Sequence, residues 1–346
     1  MPLALAICRT GMVTGVGLDT AASCAAIRAA IDNFQQSRFR DGHGEWLMAC
    51  QAPLPGRWGG EEKLRRMAAR AIDECLAEGI TPSLESVPLL LCLAEGGREG
   101  RIVHDDEAFM MALQREIGVV FHPASAVVAQ GHVSAATALY RARALLQVPG
   151  VTQVLIVGCD SMLAASTLRD CEQRERLLTS VNTDGFIPGE AAAALLLGRP
   201  DCSIGQLVCR GLGFAVEQAH IDSGRPLRAD GLTAAIRAAL QDAQCSEGIL
   251  AFKVVDASGD AYAFKETALA FARIDRTKRT EFDVWHPADC IGEVGAAIGL
   301  IMLAILKTAC EKGYARGNNV LLHLGNDDGR RAAMICSWNW REAHGG

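Results

Sequence analysis

A chain of 346 residues, half of them hydrophobic, is long enough to bury a large core, and its length fits two domains or one large duplicated one. A net charge of −6, with no basic run longer than Arg65-Arg66 or Arg330-Arg331, excludes the electrostatic footprint of a nucleic-acid or anionic-membrane binder. The 13 cysteines are scattered through apolar settings such as Leu91-Cys92-Leu93, with no CxxC pair and an odd count, so reduced, buried thiols in a cytoplasmic protein are expected.

In chain order, Met1–Ile7 is too short for a signal-peptide core and has no basic segment before it. An amphipathic helix is predicted over Leu64–Leu76 and an apolar strand over Val87–Leu93. A helix rich in small residues follows over Gly131–Leu146, then strands over Val154–Val157 and Ala193–Leu197. The succession then returns as helix Leu232–Ala243, strand Phe252–Ala257, small-residue helix Gly292–Leu306, and strands Val320–Leu324 and Ala332–Cys336.

Ile72 and Leu76 match Ile236 and Leu240, 164 positions on, while Gly131, Ala135, Ala136 and Leu139 match Gly292, Ala296, Ala297 and Leu300, 161 positions on. Any α/β protein alternates helices and strands, but five elements in one order at a near-constant offset indicate a duplication. Two halves are expected, 1–200 and 201–346, joined in one compact unit, with an extra loop near Ser161–Pro188 in the first. Continuous apolar strands predict sheets covered on both faces, and the small-residue helices predict a layer sandwiched between them. The most membrane-like run, Val294–Leu306, is shorter than the roughly 18 residues a span needs and reads as a core helix.

Metal and nucleotide chemistry find no support. The eight histidines show no i,i+4 pairing, Asp327-Asp328 has no EF-hand context, and Gly211-Leu212-Gly213 is an isolated GxG. No cofactor and no metal are expected. Cys159 and Cys290 lack an adjacent positive group and read as inert core thiols.

Three segments carry a family resemblance. Ile7–Gly17 (ICRTGMVTGVG), Asp184-Gly185-Phe186-Ile187-Pro188-Gly189-Glu190 with the apolar run Ala191–Leu197, and Ile291–Ala297 (IGEVGAA) resemble the β-ketoacyl synthases of the thiolase-like superfamily. The resemblance implies an α/β fold of the thiolase-like kind, five layers α-β-α-β-α built from two halves related by a pseudo-two-fold. In that family a cysteine at a helix N-terminus takes an acyl group from a thioester, and two histidines and a lysine support condensation. Carried over one position at a time, the cysteine falls on His132, the first histidine on Ser258, the second on Glu293 and the lysine on Ala288. Two threonines that contact pantetheine in the family fall on Asp260 and Tyr262, and a Gly-Phe-Gly-Gly loop falls on Leu324–Gly329. The resemblance therefore implies a ketosynthase-like chain that has lost its catalyst.

Ser258, His132 and Glu293 are the residue types of a hydrolytic triad, yet Ser258 ends a strand instead of sitting on a strained elbow, and Asp327 and Asp328 would repel an oxyanion. A hydrogen-bonded plug is the expectation, with His132 meeting Glu293 or Ser258 at roughly 2.6–3.2 Å. A helix N-terminus disfavours imidazolium, so a neutral His132 is expected. Asp184–Glu190 is expected to be structural, Gly189 permitting the backbone turn and Glu190 anchoring hydrogen bonds. The implied role is binding, first as an accessory or adaptor partner of another protein such as a type VI secretion effector. The alternatives are a chain-length-factor-like partner subunit of an active ketosynthase, and an enzyme with a remodelled thioester or ester site. A homodimer or heterodimer is expected, with Ala124–Gln130 as the pairing edge.

Overall fold

The computed structural model describes residues 3–77, 83–201, 205–275 and 282–339. Strand β1 (Leu5–Val13) and helix α1 (Thr20–Arg28) open the chain, followed by a separate hairpin of β2 (Phe34–Arg40) and β3 (Trp46–Cys50). The first half continues through α2 (Gly60–Leu76), β4 (Leu89–Leu93), α3 (Asp106–Ile117), β5 (Ala126–Ala129), α4 (Ser134–Leu145), β6 (Gln153–Ser161), α5 (Ala165–Gln173) and β7 (Glu190–Gly198). The second runs β8 (Gln206–Val216), α6 (Asp230–Asp242), β9 (Phe252–Val255), α7 (Ala261–Ile274), β10 (Val284–Trp285), α8 (Ala288–Ile291), α9 (Ile298–Glu311), β11 (Asn319–Gly325) and β12 (Arg330–Asn339).

Strands pair in the order β10-β9-β11-β12-β8-β1-β7-β6-β4-β5. Read from its edge inward, β10-β9-β11-β12-β8 repeats β5-β4-β6-β7-β1 strand for strand. The directions repeat as well. β4 is parallel to β5 and β6 as β9 is to β10 and β11, and β6–β7 and β11–β12 are both antiparallel. The two sets join where Leu5, Ala6 and Ile7 of β1 pair antiparallel with Cys209, Val208 and Leu207 of β8.

Burial on both faces explains the apolar strands. Every residue of β7 is buried; Ala191, Ala193, Leu195 and Leu197 face one core, and Ala192, Ala194 and Leu196 face another. The first of these cores lies between the two sets of strands and is filled by α4 and α9; α2 covers the outer side of the first set, α6 and α7 that of the second. This succession of helix, sheet, helix, sheet, helix is the expected five-layer, thiolase-like architecture. Small residues are a steric requirement in the central layer: a Cβ on Gly299 would lie 2.5 Å from the Ala135 Cβ. Among the described residues no helix is long and apolar enough to cross a membrane, and the cysteines are free thiols, all buried except Cys8 and Cys245.

Two helix starts that bear on the site differ from the sequence reading. The helix expected at Gly292–Leu306 begins only at Ile298, after a 3-10 turn over Gly295–Ala297, and runs on to Glu311. Gly292 has φ +70°, and the next residue, Glu293, forms a bridge with Pro188, its N–H donating to the Ile187 carbonyl and its carbonyl accepting from Gly189 N–H, both at 2.8 Å. Likewise Gly131 (φ +61°) opens a 3-10 turn before α4 begins at Ser134. The structural counterpart of Gly131 is therefore Gly295 (φ +52°), 164 positions on like the α2–α6 pair, and the sequence alignment through Gly292 ran three residues early. The extra loop of the first half carries α5.

The Asp184–Glu190 segment joins these parts. Asp184 Oδ1 accepts from Ala261 N–H at 2.6 Å at the start of α7, and Gly189 has no room for a side chain, its Cβ position lying 2.3 Å from the Ile291 carbonyl oxygen. Glu190 is buried and accepts from Ala52 N–H at 3.1 Å, from the Ser161 hydroxyl at 3.2 Å and from the Lys63 ammonium. Glu190→Ala would leave Lys63, itself mostly buried, without its counter-ion and the Ala52 amide without an acceptor. An expected loss of about 3–5 kcal/mol follows, measurable by urea unfolding; Glu190→Gln, which keeps the acceptor and loses the charge, should fall between the two.

Candidate functional site

A cavity of about 630 Å³ opens where β4, β9 and β11 end, and is floored by His132 and Glu293. Its walls are the loops that follow these strands, at Glu95–Glu99, Asp256–Asp260 and Gly325–Asp328, together with Arg174 and Arg176 beyond α5. The carboxyl ends of parallel strands are where open α/β sheets bind ligands.

His132 stands in the 3-10 turn ahead of α4, and Glu293 in the irregular segment between Gly292 and Gly295. Nε2 of His132 lies 2.7 Å from Oε1 of Glu293, within the range expected from the sequence. Its Nδ1 lies 2.9 Å from Oδ2 of Asp256, a residue to which the sequence reading gave no role. Ser258 lines the same cavity beside them. The structure thus brings His132, Ser258 and Glu293 together, while Ala288 is buried in α8 and lines no part of the cavity.

The charge state of His132 corrects the expectation of a neutral ring. Burial alone would lower its pKa, but the Glu293 charge and the hydrogen bonds to Asp256 and Glu293 hold it well above 6.5. Two carboxylates at contact distance outweigh the partial charge of a helix end, which is worth at most a couple of kcal/mol. Glu293, which burial would push up, is carried below the ordinary carboxylate range by the His132 charge and by its hydrogen bonds.

This arrangement cannot perform the chemistry of a serine triad. With both ring nitrogens of His132 donating to carboxylates, no lone pair remains to take a proton from a hydroxyl. Backbone donors nearby are also occupied: Gly325 N–H donates to Asp256 Oδ2 at 2.7 Å, Gly295 N–H to Glu293 Oε1 at 2.8 Å and Val133 N–H to Asn326 Oδ1 at 3.2 Å. An oxyanion hole needs such amides free. The one cysteine among the lining residues, Cys171, is pushed by burial up to about 12 and is no nucleophile at neutral pH.

Several other polar groups form structural pairs. Arg98 grips Asp160 with two bonds of 2.8 and 2.5 Å, and Asp160 also accepts from Ala296 N–H at 2.9 Å, tying the loop after β4 to the turn before α9. Asp260 caps α7 through Ala263 N–H at 2.8 Å and meets Arg176 at 3.3 Å; Tyr262 donates to the Ala219 carbonyl at 2.9 Å. At the mouth, Asp327 binds Arg176 at 2.7 Å and Arg174 at 2.9 Å. Against the upward push of burial, these arginines hold the Asp327 carboxyl below its ordinary value. Apart from the local Asp260 cap, these partners were not legible from spacing, since each pair joins segments far apart in sequence. Asp256 alone left a trace, as a carboxylate closing an apolar strand two residues before Ser258.

The linkage has a defined sign. A raised folded-state pKa means that the contribution of His132 is complete below 6.5 and is lost as pH rises through the raised value; that of Glu293 is present above 4.5 and is lost as pH falls through its lowered one. Thermal melts should therefore show an alkaline decline that flattens in His132→Gln. Glu293→Ala, which deprives the partly buried imidazolium of one partner, should cost about 1–3 kcal/mol in urea unfolding. A Glu293→Ala variant that melts like the parent would show that the pair does not form.

No family model and no curated protein matches the sequence. Solved structures do. The chain is similar to the complex AntDE:AntF, a type II polyketide synthase acyl-carrier protein with its ketosynthase, at TM-score 0.80 and 14% identity over 97% of this chain and 100% of that one. It is similar to the ishigamide ketosynthase/chain length factor at TM-score 0.76 and 17% identity, over 97% and 99%. It is also similar to the ketosynthase ApeO in complex with its chain length factor ApeC from Xenorhabdus doucetiae, at TM-score 0.72 and 12% identity, over 97% and 98%. Strand order, layering and these likenesses agree: the chain has the thiolase-like fold of ketosynthases and chain length factors.

Proposed function

We propose that the protein is a non-catalytic ketosynthase-like subunit that acts by pairing with an active ketosynthase, in the manner of a chain length factor. The observation that carries this reading is the imidazolium of His132 fixed between Asp256 and Glu293, where the resemblance locates a nucleophilic thiol. A group saturated by two carboxylates positions backbone and does not attack a thioester. Engagement of Asp260 and Tyr262 in helix capping and loop ties argues against a pantetheine channel in this chain. A partner subunit does not need one, because the active chain receives the carrier. Neighbours described as ketosynthase and chain length factor complexes support this reading over an adaptor for a secretion effector, for which the neighbours offer no parallel.

The surface offers a place for such pairing. Among the described residues β5 ends the sheet and pairs only with β4, leaving its other edge open. Beside it on α4, Arg141 reaches the Val127 carbonyl at 3.4 Å, and the adjacent Tyr140 is 61% exposed with its ring edge-on to the exposed Phe214 at 6.0 Å. An open edge flanked by exposed aromatics is costly to leave in water and fits a protein partner.

The test is co-expression with a ketosynthase encoded beside this chain, followed by sedimentation and acyl-transfer assays. The expected result is a stable dimer in which condensation requires the cysteine of the partner and survives His132→Ala here. Tyr140→Asp should weaken association at least about tenfold. A chain that sediments as a monomer alone and with the ketosynthase would overturn the proposal. So would acyl transfer by the isolated chain that is abolished by His132→Ala.

A further inference from the structure

One corner of the cavity adjoins these contacts through Asp256 and holds a histidine that enters none of them. His323, on β11, is 4% exposed and lines the cavity beside Thr267 of α7 and Asp256. The Thr267 hydroxyl donates to the Ala263 carbonyl at 2.8 Å, so its 3.4 Å contact with His323 is a bond donated by Nε2–H. That leaves Nδ1 of His323 as a bare acceptor. Burial, with the nearby charges of Lys253 and Arg331, keeps the ring neutral, lowering its pKa to about 4 against the pull of Asp256.

Facing Nδ1 at 4.0 Å is Oδ1 of Asp256. The bonds from His132 and Gly325 both go to the other oxygen, Oδ2, and among the described residues Oδ1 has no donor within hydrogen-bond distance. Two acceptors thus face each other in a cavity with no donor between them. The wider lining favours a cation, with ten carboxylates against five guanidinium groups and the His132 imidazolium.

We propose that this corner is a binding subsite for a primary ammonium group of a small organic molecule, which donates one N–H to Asp256 Oδ1 and one to His323 Nδ1. A nitrogen about 2.8 Å from each atom subtends roughly 90° between them, about 20° below the tetrahedral angle between two ammonium N–H bonds, so each bond bends by only about 10°. The two bonds make the site selective for a donor as well as for charge. A quaternary ammonium carries the same charge but no N–H, and it does not bridge the pair. The subsite stands independently of any pairing with a ketosynthase.

Titration calorimetry on the full chain near neutral pH tests this with putrescine, tetramethylammonium and butyrate. Putrescine is expected to bind, and the other two are not. His323→Phe, which keeps the volume and removes the acceptor, is expected to weaken putrescine at least about tenfold. Absence of putrescine binding up to about 10 mM, equal binding of tetramethylammonium, or an unchanged affinity in His323→Phe would each overturn the proposal. Should that variant not fold, a putrescine-soaked crystal of the parent decides: a ligand nitrogen within hydrogen-bond distance of both atoms supports the subsite, and a water there as an adventitious occupant only refutes it.

Discussion

The close approach of α4 and α9 is the constraint on which the rest of the molecule depends. Both helices lie between the two sets of strands, and a single methyl on Gly299 would collide with Ala135. Small residues let the helices touch, and the contact brings their leading turns, at Gly131 and Gly295, to one place. Positive φ at both glycines turns the chain into these helices. His132 and Glu293 meet because those turns meet, so the chemistry of the cavity is downstream of a packing rule in the core.

That dependence explains which parts of the structure were legible in the sequence. Strands buried on both faces, such as Ala191–Leu197, appear as unbroken apolar runs, and tightly packed helices appear as runs of Gly and Ala; both signals are local. The repeat was visible for the same reason. The three-residue error at Gly292 arose because two glycines compete there to mark the helix start, and only the bridge from Glu293 to Pro188 shows that the helix begins after the second.

The site was half legible. His132 and Glu293 could be paired by resemblance, but the ring's charge rests on Glu293 together with Asp256, which is 124 positions from His132 and was given no role by the sequence reading. The dipole argument for a neutral ring was sound in direction and too small in size. Arg98 with Asp160 and Arg176 with Asp327 were invisible, because each pair has an arginine on a loop of irregular length, which carries no period from which contact can be read.

The bracketed His132 also bears on how freely this position can change. A cysteine placed at 132 would face Asp256 and Glu293, and two negative charges beside a buried thiol favour its protonated form, so the thiolate would be scarce at neutral pH. Replacing the imidazolium would also leave two carboxylates buried near each other without a counter-charge, a state that raises the energy of the fold before any activity can appear. Reactivity here would have to arrive through several coordinated substitutions, each unfavourable alone. The position is entrenched: its neighbours have made the present residue the stable choice and the reactive one a distant alternative.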